Sequence, residues 1–215
     1  MNDQLHFILT DYSDNKLLQL LIKSLPHGSI ADNILLSFHT KEKERRLKEF
    51  FDEISKGNTT LNEQDILNDD FLHKYYITLN AVVQSKRTEK IQYFAHLLLN
   101  SKSDLINEDY DSYEDFIKVL DDLSFQEFYI LKTIVEIETI NEISFPRKSI
   151  GHYKTLIQKI SSDLSISENE AESLIVRLNR TGLIILNKGN VYKQEVHNYV
   201  ITTELFHKLK KLVLL

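Results

Sequence analysis

The chain has no cysteine among its 215 residues, and it has only five glycines and two prolines. The absence of cysteine excludes a disulfide framework, a thiol nucleophile and thiolate metal ligands, and it is compatible with a reducing cytoplasm. Because glycine and proline form tight turns and interrupt regular elements, their scarcity favours helices. We therefore expect a mainly helical, cytoplasmic protein.

Long hydrophobic runs are also missing. The longest apolar stretch near the N-terminus covers residues 17–25, contains Lys23 and is followed by Pro26. A membrane-spanning helix needs ~20 apolar residues, which is far more. No basic segment precedes this stretch, so we expect no signal peptide. Nothing in residues 15–38 supports membrane contact, and we expect a soluble chain.

Complete catalytic and metal-binding motifs are absent from the sequence. The eight histidines are scattered singly, and no two are three or four residues apart, the spacing that places two ligands on one helix face. The sequence has no glycine-rich phosphate loop and no Gly-x-Ser-x-Gly motif. We therefore expect no metal and no cofactor, and the absences favour a protein that is not an enzyme.

One pair of residues points to chemistry. Arg147 and His152 have the Arg-x4-His spacing of the all-helical HEPN ribonucleases, in which arginine stabilises phosphate charge and histidine exchanges the 2′-hydroxyl proton. Here the pair lies in a predicted loop and helix start, not in a long helical bundle. A HEPN-like ribonuclease toxin is our third functional interpretation.

Apolar side chains recur at helical spacing through the first 122 residues. The pattern predicts helices over residues 15–25, 41–56, 71–85, 87–100 and 113–123, with a polar, acidic connection over residues 107–112. In the second of these segments, apolar residues form one stripe and Lys, Glu and Arg occupy the opposite face. Residues 1–122 are thus expected to form a helical region.

The last third of the chain has a different pattern. Ser124 with Glu127, and Ser167 with Glu170, have the spacing of capping boxes that open helices. Gly182 is the expected left-handed residue after the second of these helices. In chain order, the predicted elements are a helix over 125–137, a strand over 140–145, helices over 150–164 and 167–180, strands over 183–186 and 191–201 joined by a hairpin turn over 187–190, and a final helix through 215 that Thr202 or Thr203 caps.

This order of elements is that of a winged helix. We therefore predict a mainly α fold, in which a helical N-terminal region is followed by a C-terminal winged helix with a small β-hairpin. The winged-helix domain is expected to span residues 123–215.

Charge is unevenly distributed along the chain. Residues 101–143 carry twelve carboxylates against three lysines, a net charge of −9, whereas residues 144–215 carry eleven basic and six acidic residues, a net charge of +5. Most of these charges are expected to lie on solvated helix faces. The alternative is a basic C-terminal module beside an acidic segment that covers it or repels nucleic acid.

Winged helices often bind DNA through the helix that corresponds here to residues 167–180. Glutamates at positions 168, 170 and 172 crowd the start of this helix, where phosphates would repel them. Lys188 and Lys193 lie near the predicted wing, where they are placed to contact a DNA backbone. The candidate residues for binding DNA or a protein partner are Asn169, Glu172, Ser173, Val176, Arg180, Lys188 and Lys193.

Several short stretches resemble a bacterial family. They are residues 89–100, the Asp-Asp-Leu-Ser-Phe-Gln-Glu stretch at 121–127, Gly-Leu-Ile at 182–184 and Tyr-Val-Ile-Thr at 199–202. Together they resemble the abortive-infection alpha-like proteins and their uncharacterised relatives in phage, plasmid and defence loci. The resemblance implies a bacterial or phage origin and a role in phage defence, and it assigns no functional residues.

Our first interpretation is a non-enzymatic interaction or adaptor protein with a winged-helix module, and a protein is its expected partner. The alternative is a winged-helix transcription regulator that binds duplex DNA. The sequence leaves open which of these partners the module binds, and it leaves the oligomeric state open.

Overall fold

The described part of the chain folds into helices and a small antiparallel sheet. The structure is a computed structural model that describes residues 11–24, 41–56, 61–102, 110–140, 149–150, 153–187 and 199–213. It divides into two compact units, Met1–Asp121 with Leu212–Leu214, and Asp122–Lys211 with Leu215. Within the described ranges, no helix is long and apolar enough to cross a membrane.

The first unit is built from amphipathic helices. The helices are α1 (Lys16–Lys23), α2 (Lys41–Lys56), α3 (Glu63–Ile66), α4 (Asp69–Gln84), α5 (Ile91–Leu99) and α6 (Tyr110–Asp122), with a 3-10 turn at Thr88–Lys90 before α5. Helices α2 and α5 pack on each other, and Phe50 and Phe51 of α2 and Phe94 of α5 are fully buried. The Tyr75 hydroxyl donates a hydrogen bond to the Leu21 carbonyl at 2.9 Å.

Helix boundaries in this unit depart from the predicted ones where local capping or burial intervenes. The predicted connection over 107–112 is wrong at its end, because α6 begins at Tyr110, one turn before the buried Tyr113. Helix α4 begins two residues early because the Asn68 side chain accepts a hydrogen bond from the Asp70 amide. The short helix α3 was not predicted, and Asn62 opens it with a capping box.

In its described residues, the second unit combines four helices with a three-stranded sheet. The strands are β1 (Ser149–Ile150), β2 (Ile184–Asn187) and β3 (Tyr199–Thr202), in the antiparallel order β1-β3-β2. Ile201 lies opposite Ile185 on one side and Ser149 on the other. The helices are α7 (Phe125–Ile140), α8 (Tyr153–Leu164), α9 (Glu168–Asn179) and α10 (Glu204–Val213).

The local signals around α9 are confirmed. Ser167 and Glu170 form a reciprocal capping box, and Gly182 has a φ of +74° after the helix end. The predicted pairing of the β2 segment with the β3 segment is also present, from Ile184 opposite Thr202 to Asn187 opposite Tyr199.

Three predictions in this unit are wrong. Ile140 was assigned to a strand but lies in α7, which continues past Ile137 through the buried Glu138. Ile150 was assigned to a helix but pairs with Val200 as part of β1. Asn187 was assigned to a turn but extends β2. The remainder of the predicted wing, residues 188–198, lies outside the described residues.

Candidate interaction surface on helix α9

Helix α9 buries one face and exposes the other. Its buried residues are Ala171, Leu174, Ile175 and Leu178, the stripe that the helical spacing predicts. Four of the predicted binding residues, Asn169, Ser173, Val176 and Arg180, are exposed, and Glu172 is half-buried. Val176 is 54% exposed, which is high for a branched apolar side chain.

The N-terminal half of this face is acidic. Glu168 and Glu172 line a shallow pocket of about 260 Å³ between α8 and α9, with Tyr153, Lys154, Ile157 and Asn169 as its other lining residues. Burial, the charge of Glu172 and a hydrogen bond to that carboxylate together raise the pKa of Tyr153 to about 12. The tyrosine hydroxyl therefore stays protonated at neutral pH and donates to Glu172.

The C-terminal half of α9 carries two arginines that contact the start of α7. Arg177 donates from Nε to Glu127 Oε1 at 3.1 Å and from Nη2 to Ser124 Oγ at 2.8 Å. Glu127 is completely buried, and it also accepts a hydrogen bond from the Ser124 amide at 2.7 Å. Burial alone would raise the pKa of Glu127, but the bonds from Ser124 and Arg177 outweigh it, so the pKa is lowered.

Arg180 is held more loosely than Arg177. Its guanidinium nitrogens lie 3.7 Å from Glu127 Oε1 and 3.8 Å from Asp122 Oδ2, and Nη2 donates to the Asp122 carbonyl at 3.3 Å. Charge-assisted hydrogen bonds are shorter, about 2.7–2.9 Å. Its side chain is 48% exposed, so the guanidinium retains the capacity to hydrogen-bond to a further carboxylate.

Other basic residues of the second unit are also paired with carboxylates. Lys159 lies 3.2 Å from Asp163, Lys208 lies 3.2 Å from Glu204, and Lys210 lies 3.8 Å from the buried Glu138. Arg177, Arg180 and Lys210 pair with carboxylates that precede residue 144, so these three contacts offset part of the +5 of residues 144–215. Asp163 and Glu204 are already counted in that net charge. The field that attracts phosphates to residues 144–215 is weaker to the extent of the first three contacts.

Four of the predicted site residues cannot be placed on this surface. Lys188 and Lys193, and the Arg147 and His152 pair, lie outside the described residues. In the ranges that the structure does describe, no group of three or more His, Asp or Glu side chains is arranged to hold a metal ion.

Comparisons of the chain with protein-family models, with curated proteins and with solved structures give no match. The assignment of a function therefore rests on the geometry of this surface.

Sequence reasoning missed the pairing of Arg177 with Glu127. The capping-box spacing identified Glu127 as a helix-start residue, but it gave no sign of a partner 50 positions further along the chain. Arg177 was not among the predicted residues, because its contact depends on how α9 packs against α7.

Proposed function

We propose that the second unit is a winged helix that serves as a protein-interaction module, with the exposed face of α9 as its docking surface. The winged-helix assignment is supported by the strand order β1-β3-β2 in the sheet. It is also supported by the order along the chain, in which helices α8 and α9 come after β1 and before β2. Fold alone does not assign a ligand, so the choice of a protein partner rests on the chemistry of α9.

The charge distribution of α9 carries this proposal. A helix that reads the major groove contacts DNA mainly through its N-terminal residues. In this chain those positions hold Glu168, Glu170 and Glu172, and the two arginines of the helix lie at its other end beside Glu127 and Asp122. The exposed Val176 between the two charged ends suits a protein surface better than a phosphate backbone.

A photocrosslinking amino acid at position 176 tests the proposal in the native host. We expect it to form an adduct with one discrete protein, and we expect none from the same amino acid at Leu67, which is 58% exposed in the first unit. An adduct that nuclease treatment removes would favour the DNA-binding regulator. Absence of any adduct at position 176 would contradict a docking role for α9.

A setting in phage defence is supported by the resemblance to the abortive-infection alpha-like proteins. If the chain acts there, its removal from the native host should raise the plating efficiency of at least one phage. Restoring the intact chain should lower the efficiency again, and restoring a variant with Val176→Asp should not. Unchanged plating across a broad phage panel would argue against this setting.

A further inference from the structure

The exposed face of α9 has an apolar centre and an opposite charge at each end. Glu172, Val176 and Arg180 follow one another at intervals of four residues, so they form a single row along the helix surface. Glu172 and Arg180 are each about 6 Å along the axis from Val176, given a rise of 1.5 Å per residue. The row therefore carries a negative and a positive group at equal distances from its centre.

We propose that this row docks against the same row of a second copy of the chain, with the two α9 helices antiparallel and crossing at Val176. In that arrangement, a two-fold axis beside Val176 brings Glu172 of each copy next to Arg180 of the other. The partner is thus a second molecule of this protein, which deepens and rests on the proposed interaction function.

Self-complementarity favours this partner over an unrelated one. A two-fold interface requires one patch to match itself, so residue i contacts residue j and residue j contacts residue i. Antiparallel pairing meets this condition for the charged ends, whereas parallel pairing would place Glu172 against Glu172. Rows of residues at four-residue spacing are also the ridges that interdigitate in the commonest class of helix packing.

The side chains at the two ends are suited to a second ion pair. Arg180 is half exposed. Its guanidinium nitrogens lie 3.7 Å from the Glu127 carboxylate and 3.8 Å from the Asp122 carboxylate, which is too far for a hydrogen bond to either. Glu172 accepts a hydrogen bond from Tyr153, and a carboxylate has further acceptor sites for an incoming guanidinium.

The contact is expected to be weak. A single pair of helix faces lies at the small end of specific interfaces, below about 1,200 Å² in total, where complexes are transient. Reversible dimerisation in the micromolar to millimolar range is therefore the expected behaviour of the isolated protein.

Charge exchange on the full-length chain tests the arrangement. In sedimentation equilibrium, Glu172→Arg alone and Arg180→Glu alone should each raise the dimer dissociation constant at least tenfold, since each places two like-charged pairs in the interface. The double variant should restore dimerisation. An equimolar mixture of the two single variants should form heterodimers, because each copy then meets only opposite charges. Circular dichroism establishes that each variant is folded.

Exposed charges outside the interface provide the matched control. Asp115 and Lys118 on α6 are 68% and 66% exposed and 3.7 Å apart. Asp115→Arg and Lys118→Glu should leave dimerisation unchanged. A dimer that survives both α9 reversals, or a double variant that stays monomeric, would overturn the proposal.

The absence of cysteine from the chain allows an independent test of the register. Val176→Cys should form an intermolecular disulfide under mild oxidation, whereas Leu67→Cys should not. A strictly monomeric wild-type chain at millimolar concentration would refute self-pairing. If position 176 still crosslinks to a different protein in the host, the interaction function stands and only the identity of the partner is wrong.

Discussion

Gly182 is the residue at which the chain leaves α9 and turns into the sheet. Its φ of +74° lies in the left-handed region that side chains with a Cβ rarely adopt. A Cβ built at this position would meet Leu205 Cδ2 at 3.7 Å, an ordinary van der Waals distance. The requirement for glycine is therefore one of backbone conformation and not of space.

We predict that Gly182→Ala lowers the free energy of unfolding by about 1–2 kcal/mol, the cost of a left-handed conformation for an L-residue. Gly182→Asn should cost less, because asparagine tolerates this conformation better than alanine does. Thermal unfolding of the three proteins measures both changes. Equal losses for alanine and asparagine would mean that packing against Leu205 sets the cost.

His207 is expected to make the stability of the fold depend on pH. Its Nε2 lies 2.9 Å from Thr202 Oγ1, which donates a hydrogen bond to the buried Glu138. Burial lowers the pKa of His207, Glu138 opposes this shift, and Lys210 and Lys211 add to it.

Because the folded-state pKa lies below the unfolded value, the unfolded chain binds more protons between the two pKa values. The contribution of His207 to stability should therefore be present above pH about 6.5 and be lost as the pH falls through the folded-state pKa. Melting temperatures measured across this range should fall less steeply for His207→Gln than for the wild type. Parallel curves would show that other groups dominate.

Two helices of the second unit begin with the same capping motif in different surroundings. Ser167 and Glu170 open α9 at an exposed position, whereas Ser124 and Glu127 open α7 with the glutamate fully buried and bonded to Arg177. The local hydrogen bonds of the two capping boxes are alike. A difference in the stability that they give their helices therefore measures the effect of burying the glutamate and of its bond to Arg177.

We predict that Glu127→Ala destabilises α7 by about 2 kcal/mol, combining the loss of a cap with the loss of a partly buried ion pair. Glu170→Ala should cost less, because only the exposed cap is lost. Amide hydrogen exchange along α7 and α9 gives the free energy of opening for each helix. A larger effect at Glu170 would mean that Arg177 contributes nothing to α7.

The elements that sequence reasoning predicted well are those with strong local signals. Helix α2 matches its predicted range, and the capping box at Ser167 fixed the start of α9. Strand β1 escaped detection because two residues are too few to show an alternating pattern, and pairing with β3 decides their conformation. Helix α7 continues past Ile137, and Glu138 in this extension is buried and accepts a hydrogen bond from Thr202, a tertiary contact that local propensity does not show.

The candidate surface was predictable only in part, because some of its contacts also join distant segments of the chain. Helical spacing identified Val176 and Arg180 as outward residues of α9, whereas Glu172, also predicted to face outward, is half-buried beside Tyr153. The hydrogen bonds from Arg177 to Glu127 and Ser124 join segments about fifty residues apart in the chain, and no periodicity in the sequence encodes them.

For the whole molecule, nucleic-acid binding depends on how much positive charge stays unpaired. The net charge of the chain is −6, and Arg177, Arg180, Lys159, Lys208 and Lys210 all lie within 4 Å of carboxylates. A phosphate that contacts one of these basic groups has to compete with the carboxylate already beside it. Only weak, non-specific binding to duplex DNA is therefore expected.

We predict that the intact chain binds two duplexes of unrelated sequence with equal, weak affinity, and that this affinity falls steeply between about 50 mM and about 200 mM salt. Fluorescence anisotropy at both salt concentrations measures it, and a specific complex would be about 10³-fold or more tighter than the non-specific one. Tight, sequence-selective binding at physiological salt would contradict the prediction and favour the DNA-binding regulator.

If binding is tight and selective, charge reversal at Lys188 and Lys193 should weaken binding to both duplexes, whereas Arg180→Ala and Asn169→Ala should reduce the preference between them. If both duplexes bind equally and weakly, the same α9 variants should leave DNA affinity unchanged while Arg180→Glu still disrupts the dimer, which separates the two uses of this helix in one set of proteins.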